Sequence, residues 1–142
     1  MNYHPEGIFI WDSWYFHHEG LSHCLHLQQL RPGETPPGVL EDEFAAERGA
    51  IGHATSTDLI SWQTQPTALY RGAPGSYDDC DLWTGCVFQA EETSYLYYTA
   101  RSSREKATIN RIALATSKDT VRWERHPENP ILTPDSQWYH GE

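Results

Sequence analysis

The chain carries one supersecondary unit twice, and that internal repeat restricts the fold more than any other feature. Laid without gaps, the stretch from Trp11-Asp12-Ser13-Trp14 to Leu27-Gln28 runs parallel to the stretch from Trp83-Thr84-Gly85-Cys86 to Thr99-Ala100. A closer match follows in each copy. Ala54-Thr55-Ser56-Thr57-Asp58-Leu59-Ile60-Ser61-Trp62 answers to Ala115-Thr116-Ser117-Lys118-Asp119-Thr120-Val121-Arg122-Trp123. The copies are offset by 72 residues at their starts and 61 at their ends, so the first holds about eleven more residues, the size of a surface-loop insertion. Among the aligned pairs, Asp12 in the first copy answers to Thr84 in the second, a carboxylate against a hydroxyl.

Aromatic and β-branched residues fall in short runs broken by Gly, Pro, Asp and Ser clusters, without sustained helical periodicity, which reads as an all-β fold. The first copy predicts strands near 13–18, 21–28, 50–56 and 61–64, with a tight turn at Glu19-Gly20. The second predicts strands near 84–90, 94–100, 110–117 and 121–125. Four short strands per repeat describe a propeller blade, and a blade buries a face only against a neighbour. The expected layout is a first blade over about 8–70, a second over about 78–127, and an approach to a third over 128–142. Propellers need at least about four blades, so this is an incomplete propeller and the chain is expected to be a fragment of a longer protein. The Pro/Gly-rich and then acidic stretch 31–43 reads as an exposed loop, either flanking a site or serving as a solvated linker.

The net charge of −10 and the absence of a Lys/Arg cluster argue against a nucleic-acid partner, which draws most of its affinity from phosphate neutralisation. No apolar run is long enough for a membrane span, and Met1-Asn2-Tyr3-His4-Pro5-Glu6 has neither the basic nor the apolar part of a secretory leader. Cys24, Cys80 and Cys86 form an odd set without metal-type spacing, as expected of free thiols in a reducing compartment, and the expected location is cytoplasmic. No cofactor is expected. The histidines at 17, 18, 23 and 26 invite a zinc site, but strand alternation sends each close pair to opposite faces, so no metal is expected either.

Ile10-Trp11-Asp12-Ser13-Trp14 resembles the WDSW motif of levansucrases, and Leu82-Trp83-Thr84-Gly85 resembles the WSG motif of that family and of invertases and levanases. The stretch from Gly52-His53-Ala54 to Trp62 is similar to the GHAxSxDLxHW segment of invertases and levanases, and Gln28 stands where those families carry a strand-ending Gln. The WMNDPNG sequence of invertases is absent, as are an Arg-Asp-Pro motif and a general-acid Glu motif. In the family those last two lie beyond the second blade.

The resemblance implies a five-bladed propeller glycoside hydrolase. Its first blade would hold Asp12 as the nucleophile that attacks the anomeric carbon of a fructoside with retention of configuration. Such hydrolysis needs two carboxyl groups in different protonation states, and Asp12 supplies one of them. Trp11, Trp14 and Trp83 offer flat faces to a sugar ring, Thr84 and Gln28 offer neutral hydrogen bonds, and Asp81 joins as a candidate at the rim. Each has a plainer reading. Asp12 could be a strand-end carboxylate satisfied by nearby amides, the tryptophans could be packing between blades, and the run Asp78-Asp79-Cys80-Asp81 could be solvated turn residues. The expected partner is a carbohydrate, either a fructoside or a pentosan oligosaccharide. Two alternatives stand beside the first reading: an arabinanase- or xylosidase-like inverting enzyme with Asp12 as general base, and a non-catalytic carbohydrate-binding or assembly module that self-associates through uncovered blade faces.

Overall fold

The computed structural model describes residues 3–31 and 49–139. It contains two four-stranded antiparallel sheets, each built from consecutive strands in sequence order. The first comprises β1 (Ile8–His18), β2 (Leu21–Leu30), β3 (Ala50–Ser56) and β4 (Gln63–Leu69), and the second comprises β5 (Asp81–Ala90), β6 (Thr93–Arg101), β7 (Arg111–Ser117) and β8 (Glu124–Arg125). Most of the expected 31–43 loop lies outside the described residues.

Local chemistry sets the turns. Glu19 and Gly20 both take positive φ, at 47° and 80°, the backbone that closes a two-residue hairpin with the native strand twist. The second match between the copies is a turn device. Asp58 Oδ1 accepts the amides of Ile60 and Ser61 at 2.8 and 2.7 Å, and Asp119 Oδ1 accepts those of Val121 and Arg122 at 2.9 and 2.8 Å. In each copy a Trp then donates its indole N–H back into the turn, Trp62 to the carbonyl of Leu59 and Trp123 to that of Thr120. These bonds hold Leu59 and Thr120 at φ 62° and 61°, a region costly for residues bearing a Cβ.

The strands differ from the sequence expectation at their ends. β1 begins at Ile8 and runs through the Trp-Asp motif, because a bulge accommodates the motif within the strand. β4 runs over Gln63–Leu69 although it contains Pro66, which an edge strand tolerates because its outer side needs no donor. β8 is only two residues long.

The main core lies where the sheets meet. Leu25, Leu27 and Ile51 of the first sheet pack with Leu82, Leu96, Tyr98, Ala113 and Ala115 of the second, and β5 lies against β1, β2 and β3. Each fully buried Leu or Ile contributes about 1.5–3 kcal/mol relative to exposure. A smaller cluster of Tyr3, Cys24 and Ala54, with Ile10 and Trp62 against it, covers the other face of the first sheet. Trp123 is buried and Trp62 half-buried, so both of these recurring tryptophans pack.

Candidate functional site

Both copies interrupt their first strand at the same point. In β1, Ile10 pairs with Gln28 and Ser13 with His26, leaving Trp11 and Asp12 opposite the single residue Leu27. In β5, Trp83 pairs with Thr99 and Gly85 with Tyr98, leaving Thr84 as the extra residue. Bulges of this kind re-aim a side chain out of the pleat, and here they aim two toward each other. Thr84 Oγ1 donates to Asp12 Oδ2 at 2.5 Å, joining equivalent positions of the two repeats. Both residues are exposed to solvent, so a ligand can reach the pair.

Glycine makes the second bulge possible. A Cβ at Gly85 would stand 2.1 Å from the carbonyl oxygen of Tyr97, so only a residue without a side chain lets β5 close on β6 immediately after Thr84. On the first sheet, Gly52 leaves space for Gln28 and His26, whose Oε1 and Nε2 would lie 2.1 and 2.4 Å from a Cβ there. Gln28 is therefore held within its own sheet, with Oε1 3.2 Å from His26 Nε2 and its amide donating to Thr67 Oγ1 at 3.0 Å. It flanks the bulge from the neighbouring strand.

The tryptophans divide. Trp83 is 44 % exposed, and the guanidinium of Arg101 covers one face of its ring at 4.3 Å from the centroid. Trp11 is similarly open at 45 %. Trp14 packs half-buried against the core between the sheets, with Nε1 enclosed and without a partner, which is the packing role. Asp81 opens β5 opposite Arg101 and is half-buried. The geometry thus gathers Asp12, Thr84 and Trp83, with Trp11 and Gln28 beside the bulge, and leaves Trp14 in the core.

Asp78 and Asp79 correct the reading of a solvated acidic run. Asp78 is fully buried, accepting from Arg125 Nε at 2.8 Å, Tyr98 Oη at 3.1 Å and Ser76 Oγ at 2.9 Å. Arg125 also donates to the carbonyl of Tyr70. Asp79 accepts the Ser103 amide and hydroxyl at 2.7 and 2.6 Å and the Gly75 amide at 2.7 Å. Burial alone would raise its pKa, but those donors outweigh it and bring it down to about 2.

The sequence also gave no signal of a buried pair, His23 and His53, stacked with Nδ1 and Nε2 2.9 Å apart. His26 lies on the opposite face of β2, edge-on to Tyr3. Among the described residues no three His, Cys, Asp or Glu side chains converge as a metal-ligand set.

Beside the Asp12–Thr84 pair, a cleft of about 600 Å³ opens against Trp83 and Thr84 and is walled by Thr108, Asn110, Leu132 and Tyr139 among others. No motif announced these residues. They come from the β6–β7 connection and the segment after β8, which have no counterpart in the repeat alignment.

Residues 43–141 match the glycosyl hydrolases family 32 N-terminal domain. A bifunctional fructosyltransferase of Allium cepa is 34 % identical over 86 residues, spanning 58 % of this chain and 14 % of its own length. Sucrose-6-phosphate hydrolase of Escherichia coli is 34 % identical over 88 residues, spanning 58 % and 18 %. The chain thus spans less than a fifth of the length of either relative. Among solved structures, fructan 1-exohydrolase IIa of Cichorium intybus superposes with a TM-score of 0.71 at 23 % identity, covering 94 % of this chain and 24 % of that one. A GH43 β-xylosidase/α-arabinofuranosidase from a compost microbial metagenome superposes at 0.61 and 20 % identity, covering 85 % and 35 %. These likenesses identify the two sheets as blades of a β-propeller. With about two thirds of its residues inside the match, the chain belongs to glycosyl hydrolase family 32.

Proposed function

We propose that this chain forms part of the active site of a glycoside hydrolase acting on fructosides, with Asp12 as nucleophile. The observation that carries the reading is the 2.5 Å hydrogen bond from Thr84 to Asp12, which orients one carboxylate oxygen and leaves the other for a substrate. In the reaction, Asp12 attacks the anomeric carbon as the bond to the leaving oxygen breaks. That oxygen takes a proton from an acid, and water then releases the sugar from the fructosyl ester. Asp12 is one carboxyl of the required pair, and no residue of this chain is assigned as the acid. Trp83 supplies an apolar ring face, and Trp11 and Gln28 flank the bulge that carries Asp12. The family match begins at residue 43, so the role of Asp12 rests on the resemblance of Ile10-Trp11-Asp12-Ser13-Trp14 to the levansucrase motif, and the bulge and the contact with Thr84 support it. In the protein that carries this chain, Asp12→Asn should lower sucrose and 1-kestose turnover by roughly 10³-fold or more with unchanged circular dichroism. Retained turnover removes Asp12 from the mechanism.

The three cysteines are free thiols, in keeping with a reducing, cytoplasmic setting. The outer face of the second sheet exposes Phe88 at 60 %, tilted against Tyr95, and this apolar face supports self-association. Sedimentation velocity at rising concentration should then show a growing dimer or larger species, and a constant monomer contradicts it.

A further inference from the structure

We infer that the two outer sheet faces of this chain bind each other head to tail, the second sheet of one copy docking on the first sheet of another; this rests on the self-association proposed above and gives it a defined interface. The template is the contact inside the chain. Leu25, Leu27 and Ile51 are the residues with which the first sheet holds the second, and at the offsets of the repeat they answer to Tyr97, Thr99 and Ile112. The ladders keep the same register, Leu27 pairing with Ile51 as Thr99 pairs with Ile112. Leu96 and Tyr98 point into the core, so strand alternation turns Tyr97 and Thr99 to the outer face. Phe88 shares that face and answers to Phe16, which packs against the core between the sheets. The outer face of the second sheet thus repeats the surface that already grips a sheet.

The outer face of the first sheet is the matching half. Leu96, Tyr98, Ala115 and Trp123, with which the second sheet enters the core, answer to Cys24, His26, Ala54 and Trp62. Cys24, Ala54 and Trp62 gather with Tyr3 on the outer face of the first sheet. Tyr15, the counterpart of the core-packed Val87, is 53 % exposed there beside the Trp62 ring. Each face therefore exposes an aromatic side chain, Tyr15 on one and Phe88 on the other, the residue type that anchors protein interfaces. The two faces are different surfaces, so the contact is heterologous. Every copy offers both, and association continues past the dimer.

The test is sedimentation velocity of this 142-residue chain beside two variants, each altering one face. Phe88→Asp disables the outer face of the second sheet and Tyr15→Asp that of the first. Both residues are exposed, so the variants should fold, and circular dichroism checks this. Each variant alone should associate about tenfold more weakly or worse. Mixed in equal amounts they should restore a species of two copies that grows no further, because each retains the face the other lacks. Cys86 shares the outer face with Phe88, while Cys24 and Cys80 are buried, so maleimide labelling of Cys86 should slow as the wild-type concentration rises. Association that Tyr15→Asp leaves intact, a mixture that stays monomeric, or a constant labelling rate overturns the head-to-tail interface while leaving self-association in place. A wild-type chain that stays monomeric at every concentration overturns both.

Discussion

At the residue scale, the pairing of Asp12 with Thr84 explains why one repeat carries a carboxylate and the other a hydroxyl. Two carboxylates brought this close would repel, and two hydroxyls would leave out the carboxylate that the proposed nucleophile requires. That difference was legible in the sequence. The buried polar groups were not. The buried carboxyl group of Asp78 is met by Arg125, which lies 47 residues away in sequence, and no local pattern reveals such a partner. Removing one member of a buried ion pair of this kind typically costs about 3–5 kcal/mol. The histidine pair escaped for the same reason. Burial lowers the pKa of His53 to about 4, with the neighbouring charges of His23 and His26 adding to the effect. The unfolded chain takes up that proton near the ordinary value of about 6.5, so it binds more protons than the folded chain between these limits. Stability contributed by neutral His53 is therefore full above about pH 6.5 and is lost as pH falls toward 4. Urea melts across pH 4–7 should show this slope, with a total of roughly 3 kcal/mol, and His53→Phe should flatten it. An unchanged slope would assign the pH dependence to other groups.

At the scale of the element, the repeat foretold eight strands and their order, and eight are present among the described residues, in two meanders. It did not foretell the bulges. A bulge is defined by the partner strand, here by Ile10 and Ser13 meeting Gln28 and His26 across the ladder, and the residues of the first strand alone predict a start after Asp12. The Ser-x-Asp-x-x-x-Trp match was visible as a likeness, and the structure gives its cause in the turn that each Asp and Trp closes. The glycine after Thr84 belongs to this scale as well. Gly85→Ala places a Cβ 2.1 Å from a backbone oxygen, so β5 must move away from β6. The expected loss is about 1–3 kcal/mol in a urea melt. Fructoside binding should weaken with it, because the same shift carries Thr84 away from Asp12. Full stability and binding in Gly85→Ala would show that the bulge is not held by this contact.

At the scale of the whole molecule, the core between the sheets sets the distance between β1 and β5, two strands that share no backbone ladder. Leu82, 1 % exposed, sits one residue before Trp83 and packs into that core with Leu25 and Leu27. The site is thus positioned by packing across the sheets, while its chemistry comes from the bulges at their inner strands. The sequence showed that two such units exist, but their relative placement depends on side-chain volumes from both, and the cleft walls come from segments outside the repeat. The proposed role of Asp12 as a fructosyl-accepting nucleophile depends on this placement. Fructosyl fluoride tests it most directly, since fluoride departs with little help from an acid and the attack needs only the carboxylate and its surroundings. After brief incubation and acid quench, peptide mass spectrometry should find one fructosyl unit on the peptide containing Asp12 and none in Asp12→Asn. An unmodified chain, or a fructosyl unit attached elsewhere and still formed in Asp12→Asn, would contradict the account.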